Sequence, residues 1–286
     1  SIHWRGYAHR GTNCSMKSRI ALIGFGEAAS TFAHAAGWER AASAFDIVAE
    51  KQADMTDANV RIGEDPASAL RDADIVLSLV TADQSFKAAA ACAPFLRKDA
   101  IWCDMNSVAP QTKAETAKII ELSAGRYVDA AILAPVNPAR LAVPVLLSGP
   151  AASDCRSHLI AARFVNVKVV GRDVGRASAI KMIRSIMVKG IEALTDEMMA
   201  AATVAGVTDE VLASLDASEK HDQWSERSAY NLERMSTHGL RRAAEMEEVA
   251  KTIAGLGLDP VMTNGTIVRQ RNAGQGHLVQ GEDRAA

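Results

Sequence analysis

Strand-like segments rich in apolar residues lie at 19–25, 74–80, 100–104, 127–131, 143–148 and 167–170. The nearly continuous apolar run at 74–80 reads as a strand buried on both faces, as parallel sheets require. Residues 45–49 read as a further strand, second in chain order. Helical stretches lie between them at 27–36, 84–92 and 110–123. The last opens at Pro110, whose missing N–H costs nothing at a first helical position. Strand and helix alternate from residue 19 to about 171, which predicts right-handed βαβ crossovers and a largely parallel sheet.

After Gly175 the period changes. Ile180, Ile183, Ile186, Met187, Ile191, Leu194 and Met198 recur at helical spacing across residues 177–202. Residues 209–215 and a long stretch at 222–254 are helical as well, and no further strand is expected. The fold class is therefore α/β, an N-terminal Rossmann-type parallel sheet followed by an all-helical C-terminal domain. The expected domains are 18–173 and 174–286. Residues 1–17 carry no period and are set aside as an extension. The polar tail Ala273-Gly274-Gln275-Gly276 is expected to be loosely held.

Composition narrows the partners. The 286 residues carry a net charge of -2, with 23% charged and 48% hydrophobic residues. No basic excess is present to neutralise a phosphate backbone, so nucleic acid is not an expected partner. The apolar runs are far shorter than the roughly 20 residues of a membrane span, and no membrane association is expected. Cys14, Cys92, Cys103 and Cys155 form no C-x-x-C pair, which argues for reduced thiols and a cytoplasmic setting. The seven histidines show no metal-ligand spacing, so no metal is expected. Gly-x-Ser-x-Gly, the hydrolase elbow, is absent.

Gly24-Phe25-Gly26-Glu27-Ala28-Ala29 falls between a strand and a helix and fits G-x-G-x-x-G/A. The first glycine permits the tight turn and the second lets backbone approach a pyrophosphate. The third small residue allows close helix–strand packing, at a helix N-terminus that favours anions. Gly24, Phe25, Gly26, Glu27 and Ala28 are thus candidate dinucleotide contacts, with a plain βα turn as the other reading. A ribose contact is expected where the second strand ends. Glu50 there can accept from both ribose hydroxyls, favouring NAD. Lys51 can attract a 2′-phosphate, favouring NADP. The balance tips slightly to NAD.

Two more segments carry chemistry. Asp104-Met105-Asn106-Ser107-Val108-Ala109-Pro110 follows a strand, on the side where open α/β sheets bind ligands. Gly175-Arg176-Ala177-Ser178-Ala179-Ile180-Lys181 opens the long helix. A lysine enclosed beside a nicotinamide can lose its proton and take one from an alcohol as hydride leaves carbon. Periodicity alone allows a blander reading, a solvated residue on a polar stripe that Lys189 continues. Ser185, one turn beyond Lys181, shares its face.

Taken together, and in this order, these motifs resemble the β-hydroxyacid dehydrogenases, the 6-phosphogluconate and 3-hydroxyisobutyrate dehydrogenase-like superfamily. The resemblance spans about residues 19–257. It implies a Rossmann domain, a helical domain that pairs subunits into homo-oligomers, and Lys181 as general acid/base with Ser185 beside it. It further implies substrate contacts from Asn106, Ser107, Leu133, Ala134, His238 and Arg242. Cofactor contacts are implied for Val80, Thr81, Ser85, Ser107 and His238.

This chain departs from the family pattern at several of these positions. Ser185 stands where the family has Asn. Asp129-Ala130-Ala131-Ile132-Leu133-Ala134-Pro135 replaces D-A-P-V-S-G-G, and His238-Gly239-Leu240 replaces Lys-Asp-Leu. Arg242 and Glu245 share the helix face of His238, although Arg241 and Glu245 also suit a simple i,i+4 surface pair. An unusual hydroxy acid or sugar acid is the expected substrate of an NAD(P)-dependent hydride transfer. Imine reduction and non-catalytic dinucleotide binding are the alternatives.

Overall fold

The computed structural model describes residues 18–218 and 223–277. The extension expected at 1–17 and the residues beyond 277 lie outside that range. Two compact units divide between Arg184 and Ser185.

The first unit is built on eight strands: β1 (Ile20–Ile23), β2 (Ala42–Phe45), β3 (Arg61–Ile62), β4 (Ile75–Ser78), β5 (Ile101–Asp104), β6 (Arg126–Ile132), β7 (Val145–Ser148) and β8 (Val167–Gly171). They lie in the order β3-β2-β1-β4-β5-β6-β7-β8. Every neighbouring pair is parallel except β6 with β7. Six helices alternate with the strands: α1 (Glu27–Ala36), α2 (Lys51–Asp57), α3 (Pro66–Leu70), α4 (Ser85–Cys92), α5 (Pro110–Leu122) and α6 (Ala152–Ala161).

Strand side chains alternate between two cores. Ile20 and Leu22 join one cluster with Phe32, Trp38 and Phe164, while Ala21 and Ile23 join the other with Trp102 and Tyr127. Both faces are covered by helices, which explains why apolar residues occupy successive positions in strands such as β1 and β4. The chain crosses from β2 and β3 on one side of β1 to β4 on the other. That crossing is a topological switch point, which opens a crevice at the strands' carboxyl ends.

The second strand is the one clear displacement from expectation. It occupies Ala42–Phe45, in register with β1, rather than residues 45–49. Ile47 and Val48 misled the pattern. They are exposed at 77% and 45% and form a cavity wall instead of core.

The long helix α7 (Arg176–Ala205) runs across the division between the units. Six apolar residues read from its period, Ile180, Ile183, Ile186, Met187, Ile191 and Leu194, stand exposed on the single chain. The second unit continues with α8 (Thr208–Ser218), α9 (Trp224–Gly255) and α10 (Val261–Gly274). The polar tail expected at 273–276 is in part helix, since Ala273 and Gly274 complete α10 and Ala273 is buried. Arg241 and Glu245 do form the i,i+4 pair, at 2.8 Å.

Helices α9 and α10 meet backbone to backbone. A Cβ on Gly239 would strike the Gln270 carbonyl and lie 2.7 Å from the Gly274 nitrogen. The same holds in reverse for Gly274, whose Cβ would lie 2.5 Å from the Leu240 nitrogen. Gly239→Ala is expected to cost about 1–3 kcal/mol through forced separation of the helices. A fall in the denaturant midpoint of that size checks it, and an unchanged midpoint would show the crossing to be loose.

Candidate functional site

A row of buried polar side chains crosses the carboxyl end of the sheet. Ser78 of β4 is in register with Asp104 of β5, Asp104 with Asp129 of β6, and Asp129 with Ser148 of β7. All four are fully buried, so each must find partners within the protein. Asp104 accepts from the Asn106 N–H at 3.0 Å, from Asn106 Nδ2 at 2.8 Å and from the Tyr127 hydroxyl at 2.7 Å. Burial first, then the neighbouring Asp104 charge, pushes the Tyr127 phenol well above its ordinary range, so it remains a donor.

Asn106 has its amide fully engaged. Its Nδ2 also reaches Ser78 Oγ and Ser85 Oγ, and its Oδ1 accepts from the Val80 N–H at 2.7 Å. It therefore holds the loop after β4 against the loop after β5. Asp129 accepts from Ser148 Oγ at 3.1 Å, and from the N–H and hydroxyl of Ser178 at 2.9 and 2.5 Å. Ser148 Oγ in turn accepts from the Ala177 N–H at 3.0 Å. The first turn of α7 is thus capped by side chains from the sheet, with a carboxylate at its positive end.

Above this row lies a cavity of about 460 Å³, lined by Glu27 and Ala28, Val80 and Thr81, Asn106 and Ser107, Ala134 and Pro135, and Lys181. Lys181 Nζ donates to Ser107 Oγ at 2.5 Å. A second cavity, of about 440 Å³, is lined by Gly24, Gly26, Asp46, Ile47, Val48, Lys51, Val80 and Thr81. Its glycines fit a dinucleotide. Gly24 sits at φ +87°, where a Cβ would press on the Leu79 carbonyl at 2.5 Å, while a Cβ on Gly26 would enter open space. No side chain caps α1 at Gly26, which leaves its first-turn N–H groups facing that space.

The other expected residues have the following surroundings. Phe25 is buried, and its N–H donates to Asp46 Oδ2 at 2.7 Å. Ser85 is buried against Asn106 and lines neither cavity. The Leu133 carbonyl accepts from Arg184 at 3.1 Å, and its side chain is likewise absent from both walls. Glu50 is exposed at the N-cap of α2, beyond the strand end, while Lys51, on the wall of the second cavity, pairs with Asp54 at 2.9 Å. Ser185, His238 and Arg242 belong to the second unit. There Arg242 joins Tyr230, Arg234 and Gln270 around a separate concavity, while His238 is exposed on α9.

Asp46 escaped the sequence reading. It follows β2 directly and accepts from the Phe25 and Val48 N–H groups, at 2.7 and 2.9 Å. A strand ending four residues earlier would have exposed it as the acidic residue about 20 positions beyond the glycines. Among the described residues, no group of His, Cys, Asp or Glu is placed to hold a metal, and no helix is long and apolar enough to cross a membrane.

Parallel sheet, switch-point crevice and glycine turn together define a dinucleotide-binding protein of the NAD(P)-dependent oxidoreductase class. Residues 19–159 match the NAD binding domain of 6-phosphogluconate dehydrogenase, and residues 202–273 match a domain of unknown function, DUF1932. A conserved hypothetical protein from Sinorhizobium meliloti 1021 is 35% identical, over 95% of this chain and 92% of that one, with TM-score 0.61. The chain belongs to the family that joins these two domains. A second solved structure, described as similar to 3-hydroxyacid dehydrogenases, is 29% identical over 90% of this chain and 97% of that one, with TM-score 0.59. The imine reductase from Myxococcus stipitatus, in complex with NADP+, shares the fold at TM-score 0.74 and 15% identity, over 90% and 95% of the two chains.

Asp46→Ala removes the carboxylate that ties the glycine turn to β2. It is expected to weaken dinucleotide binding about tenfold, the size of one charged hydrogen bond. Calorimetric titration checks this, and an unchanged Kd would show the turn to be held without Asp46.

Proposed function

We propose that this protein transfers hydride between NAD and the alcohol carbon of a hydroxy acid or sugar acid, with Lys181 as general acid/base. The observation that carries the reading is the Lys181–Ser107 hydrogen bond, on the wall of a cavity also lined by Glu27, Val80 and Thr81. An amine at that place can take the hydroxyl proton while the carbon–hydrogen bond gives up its electron pair, leaving a carbonyl and an ammonium. In the reverse direction the ammonium returns the proton. The nicotinamide, when bound, supplies the hydride acceptor. Ser107 offers a hydroxyl that can orient the substrate oxygen toward the amine, and Glu27 and Ala28 bring the N-terminus of α1 close to the same space.

NAD is favoured over NADP by Asp46. A carboxylate where β2 ends suits ribose hydroxyls and repels a 2′-phosphate. Lys51 lies on the same wall, but its charge is shared with Asp54 at 2.9 Å. The exposed Ile47 and Val48 suit the apolar face of an adenine.

Lys181→Ala is expected to lower kcat by a factor of about 10²–10⁴ while the Kd for NADH stays within twofold. A screen of hydroxy acids with purified protein supplies the substrate. Retained turnover in the variant would remove Lys181 from the chemistry, and turnover of a cyclic imine with no hydroxy acid accepted would move the reading to C=N reduction. In the same titrations NADP(H) is expected to bind at least about tenfold more weakly than NAD(H), in line with one repelled charge; equal affinities would remove Asp46 as the selector.

A further inference from the structure

Lys113 sits in the first turns of α5 with no solvent exposure, and neither the nucleotide turn nor the substrate loop motif accounts for it. A buried amine costs several kcal/mol unless oxygens surround it. Here Nζ lies 3.0 Å from Asp104 Oδ1 and 3.5 Å from Asp129 Oδ1, and donates to the Asp104 carbonyl at 2.6 Å and the Ala130 carbonyl at 3.4 Å. Met or Leu would fill the same volume without that cost, so packing gives no reason for a lysine.

The partners of its two carboxyl groups give one. Asp104 holds Asn106 and so sets the backbone that carries Ser107. Asp129 holds Ser178 at the start of α7. Lys181 stands three residues after Ser178, on the same helix face. Both ends of the Lys181–Ser107 hydrogen bond therefore hang from a single ammonium group.

We infer that Lys113 is a positioning residue, which fixes the Ser107 loop and the first turn of α7 relative to each other and so aims the Lys181 amine. The inference rests on the proposed role of Lys181 for its effect on turnover, but not for its effect on geometry. It assigns Lys113 no contact with substrate or cofactor. A merely space-filling lysine would be replaced by methionine with no consequence beyond stability.

Reductive methylation followed by peptide mass spectrometry reads the accessibility of each lysine amine in the intact protein. Lys113→Met is expected to raise the labelling rate of Lys181 several-fold, with Lys51 unchanged as an internal reference. Its kcat should fall about 100-fold, the scale of an ångström-level misplacement, with the Kd for NADH within twofold of the parent. If Lys113→Met does not fold, Ser178→Ala removes only one hydrogen bond to Asp129, and the same rise at Lys181 is expected on a smaller scale. Parent-like labelling of Lys181 in either folded variant overturns the inference. Full turnover in Lys181→Ala would instead defeat the proposed function, and the labelling comparison would still decide what Lys113 does.

Discussion

An ammonium group with no water around it must be solvated by the chain, and that requirement orders this molecule's centre. Asp104 and Asp129 are register partners on adjacent parallel strands, so their carboxyl groups leave the sheet at the same level. One lysine from α5 satisfies both. The arrangement works only if β5 and β6 keep that register, α5 starts at Pro110, and α7 starts where Asp129 can cap it. Shifting any strand by one residue would turn a carboxyl group to the opposite face and strand the charge. Sheet register and the geometry of the cleft are thereby made conditional on each other.

The polar row has a second consequence. Ser78, Asp104, Asp129 and Ser148 form a dry, hydrogen-bonded floor beneath the cavity that Lys181 enters. Polar groups already paired within the protein do not need to rearrange when a ligand arrives, and preorganised dipoles act most strongly where water is excluded. The loops that carry Val80 and Ser107 are locked together through Asn106, whose amide serves four partners at once. Asn106, expected as a substrate contact, lines the cavity and is also the joint between these two loops.

The fold was legible in the sequence because parallel strands buried on both faces cannot disguise their apolar runs. The glycine turn was legible for a similar reason, since Gly24 occupies a φ that side chains resist. What stayed hidden was encoded in backbone or in distance along the chain. Ile47 and Val48 are apolar yet line a cavity, so the second strand was extended past its end and Asp46 was passed over in favour of Glu50. Helix α10 has no apolar stripe, because it packs on α9 through Gly239 and Gly274 rather than through large side chains. Lys113 could not be singled out either. A lysine three residues after a helix-opening proline looks solvated, and its partners come from two separate strands.

One group of departures from the family pattern, Leu133, Ala134 and Pro135, falls within the first unit, where β6 ends. Gly24, Gly26, Asp46 and the loop after β4 keep the features a dinucleotide needs, and they lie on elements fixed by the sheet's switch point. The segment after β6 leaves the sheet at Ile132 and is exposed at Ala134 and Pro135. Nothing in the polar row depends on those side chains, so they can change without cost to the core. Pro135 has no N–H to offer an anion, while Ala134 keeps its amide and adds a methyl group, so this wall presents one backbone donor fewer than the family's glycine pair. In the proposed reaction a substrate held against it would be gripped by its oxygens through Ser107 and Lys181. Loop residues whose side chains carry no part of the buried network can differ without disturbing the strand ends that hold the glycine turn and the polar row.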